Sequence, residues 1–511
     1  VVIERDYTSL YAIIYLVPEQ DASDSTRQQA LRGGFYLTAR RGASAVLGLL
    51  GVLVLTRIMG PAAYGVFNAA YGVFSYLLFV GLMSVNVYLI RAEHDTEQTL
   101  FNQAFWWLLF FSVGLAVFAV LVIWVVSAVW VRTENFAWVA IALCASLPVA
   151  IVSYVPMAIL ERKLAYGVVA GVEVISQLIY YATAIPMAWA GFGVWSLAAG
   201  FWASQLAASV GFFGATRYKP RWYWRKEVLS PMLAYGFVQS LASWLYNLRE
   251  LAPSMILLPL AGKEAAGYLA VANRFLNMLS FVRDAAGRLS IPVFGRVQQD
   301  TARLARAVSE AMQIQTLTLG ASLAGFALAA PWLLPPLLGK QWDTELILTV
   351  FTWAGARVLL SALFAIQGSA LMVKGYNWLL VRANLAYAIL LVGICYGALP
   401  WITPEYRLMG FLIADIVAHL PTYWYKHWGM TRFVQRPAYR VALLWTSAML
   451  CALFAPMTSY WLYVLSVLLM LHPSSWRQLR VLGSSLSKLG GNATPQTASQ
   501  KAFYSERSEE P

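Results

Sequence analysis

GPAAYGVFNAA, residues Gly60–Ala70, closes the first long apolar run of the chain, and GKEAAGYLAVA, residues Gly262–Ala272, closes the seventh. Gly60 and Gly65 match Gly262 and Gly267, with small residues between and an aromatic beside the second glycine of each. On the span assignment below, six crossings separate the two turns, so both face the same side. Halves related in this way are parallel repeats about an axis along the membrane normal, a construction used by transporters. Gly/Ala-rich turns also resemble each other by chance. The match gains weight because span number and topology agree with it.

The composition requires a bilayer. Hydrophobic residues make up 60% of the chain and charged residues 12%, and the mean hydropathy is +0.61. A soluble domain carries about 25% charged residues. A spanning helix needs about 20 mostly apolar residues, and stretches of that length repeat from Leu37 to Leu471 in about 14 spans, with about 12 as the fallback. They are drawn at 37–58, 64–90, 101–130, 136–160, 167–190, 192–215, 231–260, 266–292, 310–338, 345–372, 376–399, 407–428, 440–456 and 458–472. Val441–Leu471 reads either as two short spans around Pro456 or as one bent helix. The fold class is therefore an all-α integral membrane protein. Two six-helix lobes, 34–226 and 227–430, enclose a central cavity, and a helix pair follows at 431–475. Every connecting loop is short, leaving no soluble catalytic domain.

The net charge is +13, and its placement matters more than its size. Basic residues crowd alternate loops, as at Arg40 and Arg41, Arg162 and Lys163, Arg217 to Lys226, Arg296 to Arg306, and Lys426 to Arg440. The intervening loops hold little beyond Arg57, Arg132, Lys263, Lys340 and Arg407. By the positive-inside rule both termini are cytoplasmic. A nucleic-acid partner is excluded by the same distribution. Residues 1–33 read as a flexible cytoplasmic arm with no cleavable signal, and 476–511 as a disordered tail whose Asn492 sequon is silent on that side. Cys144, Cys395 and Cys451 lie inside apolar spans and suggest packing rather than a disulfide or metal site. No cofactor is implied. Gly339-Lys340-Gln341 lacks the loop and hydroxyl of a nucleotide-binding motif.

Several segments, in order, resemble the polysaccharide transporter family. LTRIMGPAAYGVF (Leu55–Phe67) is similar to its Arg, hydrophobic pair, Gly-Pro and aromatic-Gly hallmark. GFGVWSLAAG (Gly191–Gly200), LPLAGKEAAGYLAVANRF (Leu258–Phe275), SIPVFGRVQQD (Ser290–Asp300) and APWLLPPLLGKQW (Ala330–Trp342) resemble later landmarks. The resemblance covers nearly all of 34–430 and implies a Wzx-like oligosaccharide flippase of the multidrug/oligosaccharidyl-lipid/polysaccharide exporter superfamily. One departure stands out. Many members carry an Asp in the middle of span seven, where this chain reads Asn247-Leu248-Arg249-Glu250.

Charged residues inside spans are functional by default. With about 100° of rotation per residue, Arg274, Asn277, Asp284, Arg288 and Asn273 share one face of span eight, and Arg283 lies opposite. Gln239, Ser243, Tyr246 and Glu250 form a stripe on span seven with Arg249 at its edge. Glu173, Gln177 and Tyr180 align on span five, Arg357 and Ser361 on span ten, and Asp415 and His419 stand four apart on span twelve. Charged faces thus come from both halves and predict a wet cavity with an excess of Arg. Guanidinium grips phosphate oxygens bidentately and stays charged. The expected cargo is a polyprenyl-diphosphate-linked oligosaccharide whose tail stays among the membrane lipids. A polysaccharide polymerase and export machinery are the further partners. Arg249, Arg274, Arg357, Arg288, Asn277 and Tyr246 are the candidate substrate contacts. Glu250, Asp284, Glu173, Asp415 and His419 are the candidate ion-coupling groups.

Plainer readings stand beside these. Arg249–Glu250 serves equally as a structural pair. Arg288 can snorkel to headgroups, and an Asp–His pair four apart can be a satisfied hydrogen bond. Arg57 reads as a structural cap. Prolines 253, 259 and 292 among others can bend their helices. A lipid II flippase shares every feature above. A cation-coupled drug antiporter would want an acid-rich cavity, and a membrane polymerase or ligase a long outer loop.

Overall fold

The computed structural model describes residues 47–48, 51–91, 97–131, 133–280, 290–291, 293–476 and 478. Among them every regular element is helical. In chain order these are α1 (51–58), α2 (Pro61–Leu82), α3 (Val85–Arg91) and α4 (Glu97–Val129). Next come α5 (Phe136–Cys144), α6 (Leu147–Val152), α7 (Tyr154–Arg162), α8 (Tyr166–Trp189) and α9 (Val194–Thr216). Span seven comprises α10 (Lys226–Asn247), a tight 3-10 turn (Leu248–Leu251), a wide π turn (Pro253–Leu257) and α11 (Leu258–Ala261). The remainder are α12 (Lys263–Leu279), α13 (Thr301–Leu338), α14 (Thr344–Val373), α15 (Asn377–Ala398), α16 (Arg407–Ala418), α17 (Leu420–Phe433), α18 (Arg440–Phe454) and α19 (Trp461–Met470).

Among the described residues eight helical segments are long and apolar enough to cross a bilayer, one of them the run α5 to α7 (Phe136–Arg162), and α18 and α19 are shorter apolar helices. The expected count of about 14 differs because several expected crossings are interrupted or only partly described. Span seven breaks at Leu248–Leu257, span twelve turns at His419 between α16 and α17, and spans one and eight run into residues outside the described set. The expected arm at 1–33 and most of the tail lie there too.

Local chemistry sets the ends. Pro61 opens α2, where its missing N–H costs nothing. Met83 and Ser84 take left-handed φ of 44° and 51° and separate α2 from α3. Asp300 accepts from Ala302 and Arg303 N–H at 3.0 Å, so α13 starts at Thr301 rather than near 310. Those N–H groups, Arg303 foremost, also hold the Asp300 carboxyl below the usual range. Asp343 caps α14 in the same way at 3.0 Å.

The repeated turns meet each other. A Cβ on Gly65 would overlap the Lys263 carbonyl and the Gly267 nitrogen, and a Cβ on Gly267 would overlap the Pro61 backbone. α2 and α12 therefore cross backbone to backbone at equivalent glycines, the close approach that small residues allow between membrane helices. Gly60 and Gly262 are less alike. Gly262 sits at φ 92°, which favours glycine, whereas Gly60 at φ −75° does not need to be one.

Several bonds join the first half to the second, among them Trp130 Nε1 to the Tyr396 hydroxyl at 2.9 Å. Near the crossing, Arg57 donates to the Leu337 carbonyl at 3.2 Å and to that of Pro336, while Trp342 Nε1 reaches the Thr56 carbonyl at 2.8 Å. Arg57 thus caps the end of α13 rather than its own turn, satisfying carbonyls that a helix end leaves free. Along the other margin, Ser254 donates to the Ala69 carbonyl, Trp244 Nε1 to Phe79 at 3.1 Å, and Arg91 to the Tyr235 hydroxyl at 2.9 Å. Ser84 and Ser240 share a hydrogen bond of 2.8 Å. The basic connector between the halves is strapped to α4. Tyr218 donates to Asn102 at 2.8 Å, and the Arg225 N–H donates to Gln103 at 2.7 Å.

Candidate functional site

A cavity of about 330 Å³ lies where α2, broken span seven, α12, α14, α15 and α16 converge. Its lining includes Arg249, Glu250, Arg274, Asn277, Arg357 and Asp415. Residues read separately on spans seven, eight, ten and twelve therefore share one hollow. The break in span seven places Arg249 and Glu250 together on a 3-10 turn, so both can face the space. The Glu250 carbonyl packs where a Cβ on Gly72 would sit.

The three guanidinium groups are held differently. Arg249 lies over the Tyr246 ring, 4.0 Å from its centroid, and its Nε is 3.7 Å from Glu250 Oε1. Tyr246 thus touches the site through Arg249. Arg357 Nε stands 2.9 Å from Asp415 Oδ2, without a well-aligned hydrogen bond from that nitrogen. Arg274 has neither an ion pair nor a hydrogen bond among the described residues, and it lies against Gly48 of span one.

Asp415 is the hub of a small network. The Tyr387 hydroxyl donates to Oδ1 at 2.9 Å, and His419 Nδ1 is 3.3 Å from the same oxygen. Nδ1 is also 2.7 Å from the Asp415 backbone carbonyl. A carbonyl only accepts, so Nδ1 carries the hydrogen. The Tyr387 and His419 rings stand 4.1 Å apart. The Arg357 and Asp415 side chains are 20% and 13% exposed, and removing one partner of such a pair leaves a poorly compensated charge. We expect Asp415→Asn to destabilise the protein by up to about 3 kcal/mol, reduced by whatever water the cavity admits. Thermal unfolding in detergent checks this. An unchanged midpoint would mean that Arg357 does not depend on Asp415.

Not every expected residue is here. Arg288 and Asp284 lie outside the described residues. Glu173 is absent from the cavity lining. Further along α8, Tyr181 donates to the Gly48 carbonyl at 3.2 Å, its ring occupies the space a Cβ on Gly51 would need, and Gln177 Nε2 stands 3.2 Å from the Cβ position of Gly48, so this part of α8 packs on span one. Charges were expected from both halves, but all the charged groups in the described lining belong to 227–430. The first half contributes Tyr64, Asn68 and Tyr71 instead. Their i, i+4, i+7 spacing was a readable signal, passed over because none of them is charged.

The model of a family described as polysaccharide biosynthesis protein matches residues 54–346. The chain belongs to that family. The chain is 24% identical over 422 residues to the succinoglycan biosynthesis transport protein ExoT of Rhizobium meliloti (strain 1021), covering 72% of this chain and 84% of the relative. Among solved structures it is similar to the lipid II flippase MurJ in an inward closed conformation, with a TM-score of 0.65 and 12% identity, over 87% of this chain and 99% of the other. It is also similar to an inward-facing multidrug resistance transporter of the MATE family and MOP superfamily, with a TM-score of 0.60 and 16% identity, over 76% and 94%. At such identities these likenesses establish the fold alone, one that this chain shares with those multi-pass membrane proteins. They agree with the resemblance carried by Leu55–Phe67 and the later landmarks. In this polysaccharide biosynthesis protein the cavity lies beside the crossing of α2 and α12, the helices that carry the repeated turns.

Proposed function

We propose that this chain carries polyprenyl-diphosphate-linked oligosaccharide units from the inner to the outer leaflet of the cytoplasmic membrane by alternating access, for surface polysaccharide synthesis. The observation that carries the reading is the meeting of Arg249, Arg274 and Arg357 in one intramembrane cavity, with Arg274 unpaired among the described residues. A free guanidinium inside a membrane is costly unless a ligand or water answers it. A diphosphate supplies several acceptor oxygens and is gripped bidentately. The lobes 34–226 and 227–430 rock about the crossing of α2 and α12, both termini remain cytoplasmic, and the polymerase and export machinery act downstream.

The lipid II reading shares the phosphate chemistry. The name of the relative, a succinoglycan biosynthesis transport protein, favours a polysaccharide unit. A cation-coupled drug antiporter is less well served, because Glu250 and Asp415 both face Arg partners. The test is reconstitution into liposomes holding a polyprenyl-diphosphate glycan on one leaflet. Protein-dependent exposure of the glycan to a lectin on the other side is expected. Equal exposure with protein-free liposomes overturns the proposal.

A further inference from the structure

We infer that the Tyr64–Asn68–Tyr71 face of α2 is the sugar-reading wall of the cavity and recognises the saccharide joined directly to the diphosphate. This rests on the transport reading above and assigns the part of the substrate that the arginines do not read. The two walls differ in charge, although the second half also adds Asn273, Asn277 and Tyr387 to the lining. In the described lining, charged groups come only from the second half of the chain, and α2 presents two phenols and an amide one helical turn apart. Uncharged hydrogen-bonding groups beside an aromatic face match a pyranose: its C–H face packs on a ring, and an amide offers both donors and an acceptor to neighbouring hydroxyls.

The α2 wall is also built to stay in place. Tyr71 is 41% exposed although it lines an interior cavity. Its ring is braced by Phe67 at 6.3 Å, Phe74 at 6.0 Å and Phe201 at 5.8 Å between centroids. Tyr64 is steadied edge-on by Trp342 at 6.3 Å. The Asn68 side chain makes no hydrogen bond to a described residue, so its amide is available to a ligand. Size points the same way. At about 330 Å³ the cavity is at the small end of the ~300–1,000 Å³ range of small-molecule sites. It holds the phosphates with the nearest sugar rather than a whole repeat, so discrimination concentrates on that sugar.

The experiment uses the full chain in nanodiscs and two kinds of probe: undecaprenyl diphosphate, and undecaprenyl diphosphate bearing glucose, galactose or N-acetylglucosamine. The native protein should prefer at least one glycosylated probe over the bare lipid by roughly tenfold, the equivalent of about 1.4 kcal/mol. Asn68→Ala and Tyr71→Leu should remove that preference and leave affinity for the bare lipid within about twofold. If Tyr71→Leu fails to fold, Asn68→Ala carries the test, since it removes no hydrogen bond to a described residue. A preference kept in both variants, or equal weakening toward both kinds of probe, overturns the assignment. Native protein that binds the bare lipid but favours no monosaccharide also overturns it and leaves the transport reading intact. Native protein that binds neither kind of probe defeats the transport reading itself.

Discussion

Arg274→Ala should abolish export of lipid-linked units while leaving the protein in the membrane at its normal level. The argument turns on what Arg274 lacks. Arg357 has Asp415 and Arg249 has Glu250 and Tyr246, so truncating either disturbs a partner, and any loss of export is confounded with loss of structure. Arg274 makes no ion pair or hydrogen bond among the described residues, so its removal orphans nothing there. Hydrogen bonds to charged groups contribute about 1.5–3 kcal/mol each, and loss of a bidentate grip of about 3 kcal/mol weakens binding roughly a hundredfold. Arg274→Lys keeps the charge and loses the fork, so it should fall between. The measurement is transport in reconstituted liposomes, with membrane abundance and unfolding midpoint as controls. Normal transport by the Ala variant would show that the arginine-rich cavity does not hold the diphosphate through this residue.

The second large effect is structural. Gly65→Val places a branched side chain where the Lys263 carbonyl and the Gly267 nitrogen already stand. Neither is the end of a flexible side chain, so α2 and α12 must separate. Overpacking costs about 1–3 kcal/mol where side chains can give way, and a backbone crossing offers no such relief, so at least about 3 kcal/mol is expected. The protein should be nearly lost from the folded fraction in size-exclusion melting curves. Gly114→Val on α4 is the control, because nothing lies within 4 Å of its Cβ position, and it should melt like the native chain. Similar behaviour of the two variants would mean that the crossing is not a fixed contact.

Much of this architecture was legible because membrane helices leave a loud signal. Apolar length located most spans, and the paired glycine turns marked the place where the halves touch. Stripes of charge on spans seven, eight, ten and twelve pointed to side chains that do share a cavity. What escaped was chemistry without charge or length. The Tyr64, Asn68 and Tyr71 face carries no formal charge, so a search for intramembrane ions passes over it. The stripe of Glu173, Gln177 and Tyr180 is not in the described lining, and beside it on the same helix Tyr181 bonds to the Gly48 carbonyl. The early start of α13 was written in Asp300, a capping residue, rather than in hydropathy.

The bonds along spans two and seven have a mechanical meaning. From Ser254 and Ala69 to Arg91 and Tyr235 they stitch that margin along its length, with Trp244–Phe79 and Ser84–Ser240 between. With the Arg57 and Trp342 bonds near the crossing, they tie the halves together in two places, so any relative movement of the halves must either pivot on these bonds or break them.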